Sequence, residues 1–207
     1  DGRSFFYLRK DPQTLRSHQV WRHTLDTDPD RDVLVYEETD ETFNLSIGKT
    51  KSREFLMIRA SQTVSDEVHV LPAETPAGEW RVLQPRERNL EYSVDHMPGR
   101  WVVRTNHEAE NFRLVTCPDE AGAKETWRPL VPHRDDVFLA GFQLFGDHLV
   151  LAERRDGLTR LRVRPWSGAP DHEVTFDDPT YSVRMMRVPE LDTPVLRYRY
   201  SSLTTPA

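Results

Sequence analysis

Short runs of apolar and β-branched residues, separated by a few polar, Pro or Gly positions, recur along this chain. Runs of this kind predict β-strands joined by turns, and no stretch carries the longer period of an amphipathic helix. The second strand of each repeated unit is predicted to begin at residues 54, 100, 148 and 194, so the intervals are 46, 48 and 46 residues. The pattern therefore predicts an all-β repeat protein.

Each repeated unit contains four predicted strands. First strands are predicted to begin at 43, 90, 138 and 181, third strands at 67, 111 and 159, and fourth strands at 79, 126 and 173. Three further strands, at 4–10, 18–24 and 32–38, precede the first complete unit. Four strands that return at this interval are typical of a β-propeller.

We predict a single partial β-propeller domain over residues 1–207, built from four-stranded antiparallel blades. About three blades are expected to be complete, with a partial blade at each end. The predicted blade units are approximately 1–41, 42–88, 89–136, 137–179 and 180–207. The dipeptides Pro98-Gly99, Gly146-Asp147 and Asp156-Gly157 favour tight turns, which join antiparallel neighbours.

The polarity within strands predicts which of them lie inside a blade stack. Residues 101–103 and 149–152 are apolar without interruption, as expected for inner strands that are covered on both faces. Arg160, Arg162 and Arg164 alternate with apolar residues, as expected for an outer strand with one face in water.

Composition narrows the class of protein. The 207 residues include 37% hydrophobic and 30% charged residues, and the net charge is −6. Because acidic and basic residues are interspersed, we expect no nucleic-acid partner. No apolar run is long enough to span a bilayer, so we expect no membrane partner.

The single Cys117 excludes an internal disulfide and favours a reducing compartment, so we expect a cytoplasmic protein with one buried thiol.

No residue of this chain is predicted to be catalytic, cofactor-binding or metal-binding. The chain lacks the Gly-x-Ser-x-Gly motif of a serine nucleophile and the glycine loops that bind phosphate. The histidines lack the close spacing of metal ligands, so we expect them to be hydrogen-bonded or solvated. The eight histidines are His18, His23, His69, His96, His107, His133, His148 and His172.

Two charged stretches have a functional and a structural interpretation. The acidic residues at 37–41 and at Asp135 and Asp136 are predicted to be solvated turns rather than general acids. The Arg-rich stretch from Arg154 to Arg164 is either an anion-binding stripe or an outer strand that faces water and neighbouring carboxylates. We favour the outer strand, because no stacking aromatic residues alternate with the arginines.

Several stretches resemble one family in continuous text. The longest of these stretches are QVWRHTLDTDPDRDVLVYEETDETF, LEYSVDHMPGRWVVRTNHEAENFRL and FLAGFQLFGDHLVLAERRDGLTRLRV. They resemble the propeller of oligopeptidase B, within the prolyl oligopeptidase family of serine peptidases. These and two shorter segments follow one another in matching order, so the resemblance extends over nearly the whole chain. The matching ranges are 19–43, 46–58, 90–114, 138–163 and 196–206.

The resemblance implies a larger enzyme in which a seven-bladed propeller covers an α/β-hydrolase domain and admits only short peptides. It implies cleavage after Arg or Lys by a catalytic Ser, Asp and His of the hydrolase domain, beyond Ala207. This chain would then control access and would not itself be an enzyme. The alternative is a free-standing propeller-like scaffold for protein interactions.

The resemblance also implies the partners of the chain. We expect this chain to contact the hydrolase domain and the remaining blades of a longer parent protein. We expect short basic peptides to be the substrates of that parent. In isolation, uncovered blade faces and strand edges favour self-association.

Overall fold

The computed structural model describes residues 2–205; Asp1, Pro206 and Ala207, which the predicted domain includes, lie outside the described residues. Within the described part, the chain forms seventeen β-strands and two single-turn 3₁₀ helices, Pro29–Arg31 and Lys124–Thr126. Among residues 2–205, no helix has the length and apolar character needed to cross a membrane.

The strands of residues 2–205 form five sheets. The first contains β1 (Ser4–Lys10), β2 (Ser17–Thr24) and β3 (Val33–Glu37), and the second contains β4 (Asn44–Lys49), β5 (Phe55–Gln62), β6 (Ser65–Pro72) and β7 (Arg81–Gln84). The third contains β8 (Tyr92–Met97), β9 (Arg100–Thr105), β10 (Arg113–Pro118) and β11 (Arg128–Val131). The fourth contains β12 (Phe138–Leu144), β13 (His148–Arg155), β14 (Leu158–Pro165) and β15 (His172–Glu173), and the fifth contains β16 (Tyr181–Met185) and β17 (Tyr198–Ser202).

Strand order within each sheet follows chain order, so each strand pairs with its neighbour in the sequence. Three of the sheets in the described residues have four strands, whereas the first has three and the fifth has two. This arrangement confirms the predicted all-β class and the four-stranded antiparallel sheets.

The turn between β13 and β14 shows how local sequence sets the register. Arg155 pairs with Leu158, which leaves only Asp156 and Gly157 in the loop. Both loop residues have positive φ, 53° and 77°, as a type I′ hairpin turn requires. The Asp-Gly dipeptide supplies that conformation, because glycine has no Cβ to clash and aspartate tolerates it.

Burial in the fourth sheet follows the predicted division between inner and outer strands. Leu149, Val150 and Leu151 of β13 are fully buried, so both faces of this strand are covered. In β14, Leu161 is fully buried while Arg160 and Arg162 are half-buried. The alternation places the apolar side chains of β14 in the core and the guanidinium groups toward water.

Most strands begin within two residues of their predicted starts, but one is much shorter than predicted and another begins four residues later. A full strand was expected from residue 173, but β15 contains only His172–Glu173. The chain then turns, because the Phe176 ring packs against Tyr181 and Tyr200, each at a centroid distance of 4.8 Å. Asp178 next accepts a hydrogen bond of 2.5 Å from the Tyr200 hydroxyl. Side-chain contacts therefore replace the expected ladder.

The last strand, β17, was expected from residue 194 but begins at Tyr198. The connection at 186–197 contains Pro189 and Pro194, which have no backbone N–H to donate to a ladder. Its Leu191 carbonyl accepts a hydrogen bond of 2.9 Å from the Gly146 N–H. A hydrogen bond to another loop therefore holds this connection in place, and β17 begins later in the sequence than predicted.

The described chain divides into two compact units. One consists of residues 2–101 and 117–127, and the other of 102–116 and 128–205, so the third sheet contributes to both. The core of the first unit includes Val20, Phe43, Leu45, Ile58 and Ala60. The core of the second includes Phe145, Val150, Leu161, Val183 and Val188.

Candidate functional site

A cluster of charged and phenolic side chains surrounds Arg86, two residues after β7. The Arg86 guanidinium donates to the carboxylates of Glu38 at 2.6 Å and Glu67 at 3.0 Å, and to the Tyr36 hydroxyl at 3.3 Å. Glu38 follows β3 and is only 4% exposed, and Glu67 lies in β6. One guanidinium therefore joins the first sheet to the second within the same compact unit.

Two further contacts fix Arg86. Its backbone N–H donates to the second oxygen of the Glu67 carboxylate at 3.0 Å. Its guanidinium carbon lies 4.1 Å from the centroid of the buried Phe43 ring, a cation–π geometry. The planar, multiply donating guanidinium suits this site, because a lysine ammonium could not match two carboxylates and an aromatic face together.

The cluster shifts the pKa values of its members. A hydrogen bond from His69, together with those from Arg86, lowers the pKa of Glu67 to about 2. Burial, and next the Glu38 carboxylate, raise the pKa of Tyr36 to about 12. At neutral pH the Glu67 carboxylate is therefore ionised and the Tyr36 phenol is neutral.

Acid is expected to weaken this cluster over a defined pH range. The folded pKa of Glu67 lies at about 2 against an ordinary value of 4.5, so its stabilisation is complete above 4.5 and is lost as pH falls toward 2. We expect Glu67 to account for about 2 kcal/mol of the free energy of unfolding lost over that range. Urea unfolding of the chain at a series of pH values measures the loss.

The matched controls for the pH experiment replace single carboxylates. Glu67→Gln should have a lower stability at neutral pH and a shallower decline in acid, whereas Glu79→Gln, at an exposed position, should decline like the wild type. Equal declines for Glu67→Gln and the wild type would contradict the assigned role of Glu67.

A second polar cluster links Ser52, His96 and Asp119, all in the first compact unit. The His96 ring lies 2.7 Å from the Ser52 hydroxyl through Nδ1 and 2.8 Å from the Asp119 carboxylate through Nε2. Ser52 lies between β4 and β5, His96 is in β8, and Asp119 follows β10. The imidazole is fully buried between Phe55 and Trp101, with ring centroids 4.7 Å away in each case.

These three residue types are those of a catalytic triad, but their surroundings are structural. A nucleophilic serine needs its hydroxyl free to attack a substrate carbonyl while histidine takes the proton. The Ser52 hydroxyl instead accepts from the Glu54 N–H at 3.2 Å and contacts the Thr50 hydroxyl at 3.0 Å. Because His96 is also completely buried, the cluster orders a connection and is not poised for acyl transfer.

The other predicted charged residues are mostly paired. Arg162 contacts Glu153 and Asp171, and Glu173 contacts two more arginines of the stretch, as expected for an outer strand beside carboxylates. Four further histidines contact carboxylates: His23 with Asp32, His69 with Glu67, His133 with Asp135, and His148 with Asp147.

The acidic residues at 37–41 were predicted to lie in a solvated turn. This prediction is wrong for Glu38, which is buried against Arg86. Asp135 and Asp136 are exposed, in agreement with the prediction. Cys117 is buried as expected, and burial raises the pKa of its thiol to about 11, so it remains protonated at neutral pH.

Sequence reasoning missed one group of possible metal ligands. Glu54, His96 and Asp119 each place a donor atom within 4.8 Å of the other two. The three positions are separated by 42 and 23 residues, so no short motif joins them. They come together because the connection between β4 and β5 of the second sheet packs against β8 and the end of β10 in the third.

Comparison with known proteins assigns the family. Residues 1–207 match the family model described as "Prolyl oligopeptidase, N-terminal beta-propeller domain". The chain belongs to the prolyl oligopeptidase family. The same match and the structural likeness described next confirm the predicted partial β-propeller.

The solved structures with a similar fold include two members of this family. Oligopeptidase B from Trypanosoma brucei matches with a TM-score of 0.89 and 30% identity, over 100% of this chain and 30% of that one. Oligopeptidase B from Leishmania major matches with a TM-score of 0.88 and 31% identity, over the same shares.

A curated relative has higher sequence identity. Dipeptidyl aminopeptidase BI of Pseudoxanthomonas mexicana is 46% identical over 100% of this chain and 28% of its own length. Protease 2 of Moraxella lacunata is 30% identical over 99% of this chain and 29% of its own length. The chain thus spans less than a third of the prolyl oligopeptidase family members that it matches and corresponds to part of the propeller.

Proposed function

We propose that this chain is the substrate-gating region of a serine oligopeptidase that hydrolyses short peptides. The observation that carries the proposal is the match of the whole chain to the propeller of the prolyl oligopeptidase family. The catalytic Ser, Asp and His belong to a separate hydrolase domain of the parent, and the propeller restricts which peptides reach them.

The polar clusters support a structural role for this part of the enzyme. Arg86 and His96 each join two sheets through buried hydrogen bonds, which favours a rigid body over a reacting centre. The Trypanosoma brucei relative was solved in a closed form with covalently bound antipain. A propeller that moves relative to the hydrolase domain would open and close access to such a site.

For specificity we propose cleavage after Arg or Lys, on the likeness to two oligopeptidase B structures. A second candidate is removal of dipeptides from a free amino terminus, because the relative at 46% identity is named a dipeptidyl aminopeptidase. The two activities differ in what they require at the amino-terminal side of the scissile bond.

Two chromogenic substrates should separate these activities in the full-length parent protein. One has a blocked amino terminus and ends in arginine, and the other is a dipeptide with a free amino terminus. We expect turnover of the blocked Arg substrate and no turnover by residues 1–207 alone. Turnover of the free dipeptide only would favour the second candidate, and turnover of neither would overturn the peptidase proposal.

A variant of the propeller completes this experiment. Ser52→Ala in the full-length parent should leave kcat within about twofold of the wild type, because Ser52 orders a connection and performs no chemistry. A fall of several orders of magnitude with an unchanged fold would show that Ser52 is the nucleophile.

We also propose that the parent enzyme is cytoplasmic. A single buried thiol with a raised pKa suits a reducing compartment, where no disulfide is needed. Cell fractionation with an antibody to the full-length protein tests this assignment, and recovery in a secreted fraction would overturn it.

A further inference from the structure

We propose that Glu54, His96 and Asp119 form a binding site for one divalent transition-metal ion of the zinc class. One imidazole nitrogen and two carboxylates lie with their donor atoms within 4.8 Å of one another. This proposal departs from the expectation of no metal ligand, which was drawn from histidine spacing alone. It is independent of the proposed peptidase function.

Two of the three ligands are already held in place. The His96 ring is fully buried and packed against Phe55 and Trp101, so it has little freedom to turn. The backbone carbonyl of Asp119 accepts from the Trp101 indole at 3.2 Å and from Arg81 at 2.8 Å. Because two of the ligands are already oriented, metal binding would cost little further side-chain conformational entropy at these positions.

The distances suit a small first-row cation. His96 Nε2 lies 2.8 Å from the Asp119 carboxylate oxygen. Ligands of a tetrahedral zinc ion, bound at about 2.0–2.1 Å, lie roughly 3.3 Å apart, so this pair must separate only slightly. The third ligand, Glu54, has an exposed side chain on a backbone that is fixed by a 2.7 Å hydrogen bond from the Ala73 N–H to its carbonyl. A Glu54 carboxylate oxygen already lies within 4.8 Å of the other two donor atoms, so only a short movement of an exposed side chain would bring it to bonding distance.

Ser52 lets His96 serve as a ligand without rebuilding its surroundings. In the metal-free state, Nε2–H can donate to Asp119 while Nδ1 accepts from the Ser52 hydroxyl. When Nε2 binds a cation, the single ring proton moves through solvent from Nε2 to Nδ1, so the imidazole stays neutral. Nδ1–H then donates to the same hydroxyl, which can act as donor or acceptor. Metal-ligating histidines usually donate their other N–H to such a partner.

The charges favour a dication and the ligand types favour zinc over magnesium. Two carboxylates and a neutral imidazole carry a net charge of −2, which a divalent ion neutralises. One nitrogen and two oxygen donors suit zinc, cobalt or manganese, whereas magnesium prefers octahedral oxygen coordination. The partly exposed carboxylates of Glu54 and Asp119 leave a route for the ion to enter.

Cobalt titration of the full-length protein, after treatment with EDTA and its removal, tests the proposal. We expect one saturable visible absorption band whose intensity indicates four- or five-coordination, with displacement of cobalt by zinc and not by magnesium. Glu54→Gln, at an exposed position that should not affect folding, is expected to weaken cobalt binding at least tenfold. Glu74→Gln, also exposed, is the matched control and should bind like the wild type.

His96→Gln should abolish the band, and Ser52→Ala should weaken binding by about tenfold or more, as loss of the hydrogen-bond partner of a ligand usually does. Because His96→Gln alters a buried residue, Glu54→Gln decides the outcome if that variant fails to fold. Absence of a saturable band, or equal cobalt affinity in Glu54→Gln and the wild type, would overturn the proposal and leave a purely structural His–Asp pair.

Discussion

Replacing Arg86 by alanine is expected to lower the free energy of unfolding by about 3 kcal/mol, because it leaves buried carboxylates without a counter-charge. The Glu38 side chain is 4% exposed and the Glu67 side chain is 13% exposed, so both carboxylates depend on the guanidinium for most of their charge compensation. The cation–π contact with Phe43 is lost as well. Urea unfolding at neutral pH measures the difference.

Two variants separate this charge effect from a general loss of packing. Arg88→Ala, at an exposed position on the same connection, should change stability by less than about 0.5 kcal/mol. Adding Glu38→Gln to Arg86→Ala should recover part of the loss, since an amide is cheaper to bury than an unpaired carboxylate. If Arg86→Ala matched Arg88→Ala, the cluster would not be a stabilising tie between the two sheets.

Trp101→Ala is expected to cost about 4 kcal/mol, in the range of large aromatic truncations in a core. Its side chain is fully buried and packs on Phe55 and His96, with ring centroids 4.8 Å and 4.7 Å away. The change would also remove the indole donor to the Asp119 carbonyl. Thermal and urea unfolding measure the loss of stability.

Phe5→Ala provides the matched aromatic control, because Phe5 is 47% exposed. We expect it to cost less than about 1 kcal/mol, since half of the ring already contacts water. Trp101→Phe should lie between the two, because it keeps a buried aromatic ring but loses the hydrogen bond. Equal effects of Trp101→Ala and Phe5→Ala would contradict the central packing position of Trp101.

Local patterns predicted much of the fold because antiparallel hairpins are local structures. The Asp156-Gly157 turn was predictable from its dipeptide, and the buried β13 from its unbroken apolar run. The start of β17 was not, because Pro189, Pro194 and a contact from Leu191 to Gly146 displaced it. The repeat interval predicts where a strand begins when successive units have connections of equal length. It does not predict where a strand begins after a connection of irregular length.

The polar clusters were less predictable because their members are distant in sequence. Glu38 and Arg86 are 48 residues apart, and the single-sequence interpretation placed Glu38 in water. Glu54, His96 and Asp119 come from three separate segments, and nothing in the spacing of any pair indicates metal ligation. Such contacts depend on how neighbouring sheets pack, which strand periodicity alone does not specify.

The agreement between strand order and chain order has a consequence for biosynthesis. Because every pairing within a sheet joins sequence neighbours, each sheet can form from a short continuous stretch as it leaves the ribosome. Arg86 emerges after all four strands of the second sheet, so its link to Glu38 closes only when that sheet is complete. The second sheet would therefore be complete before Arg86 links it to the first.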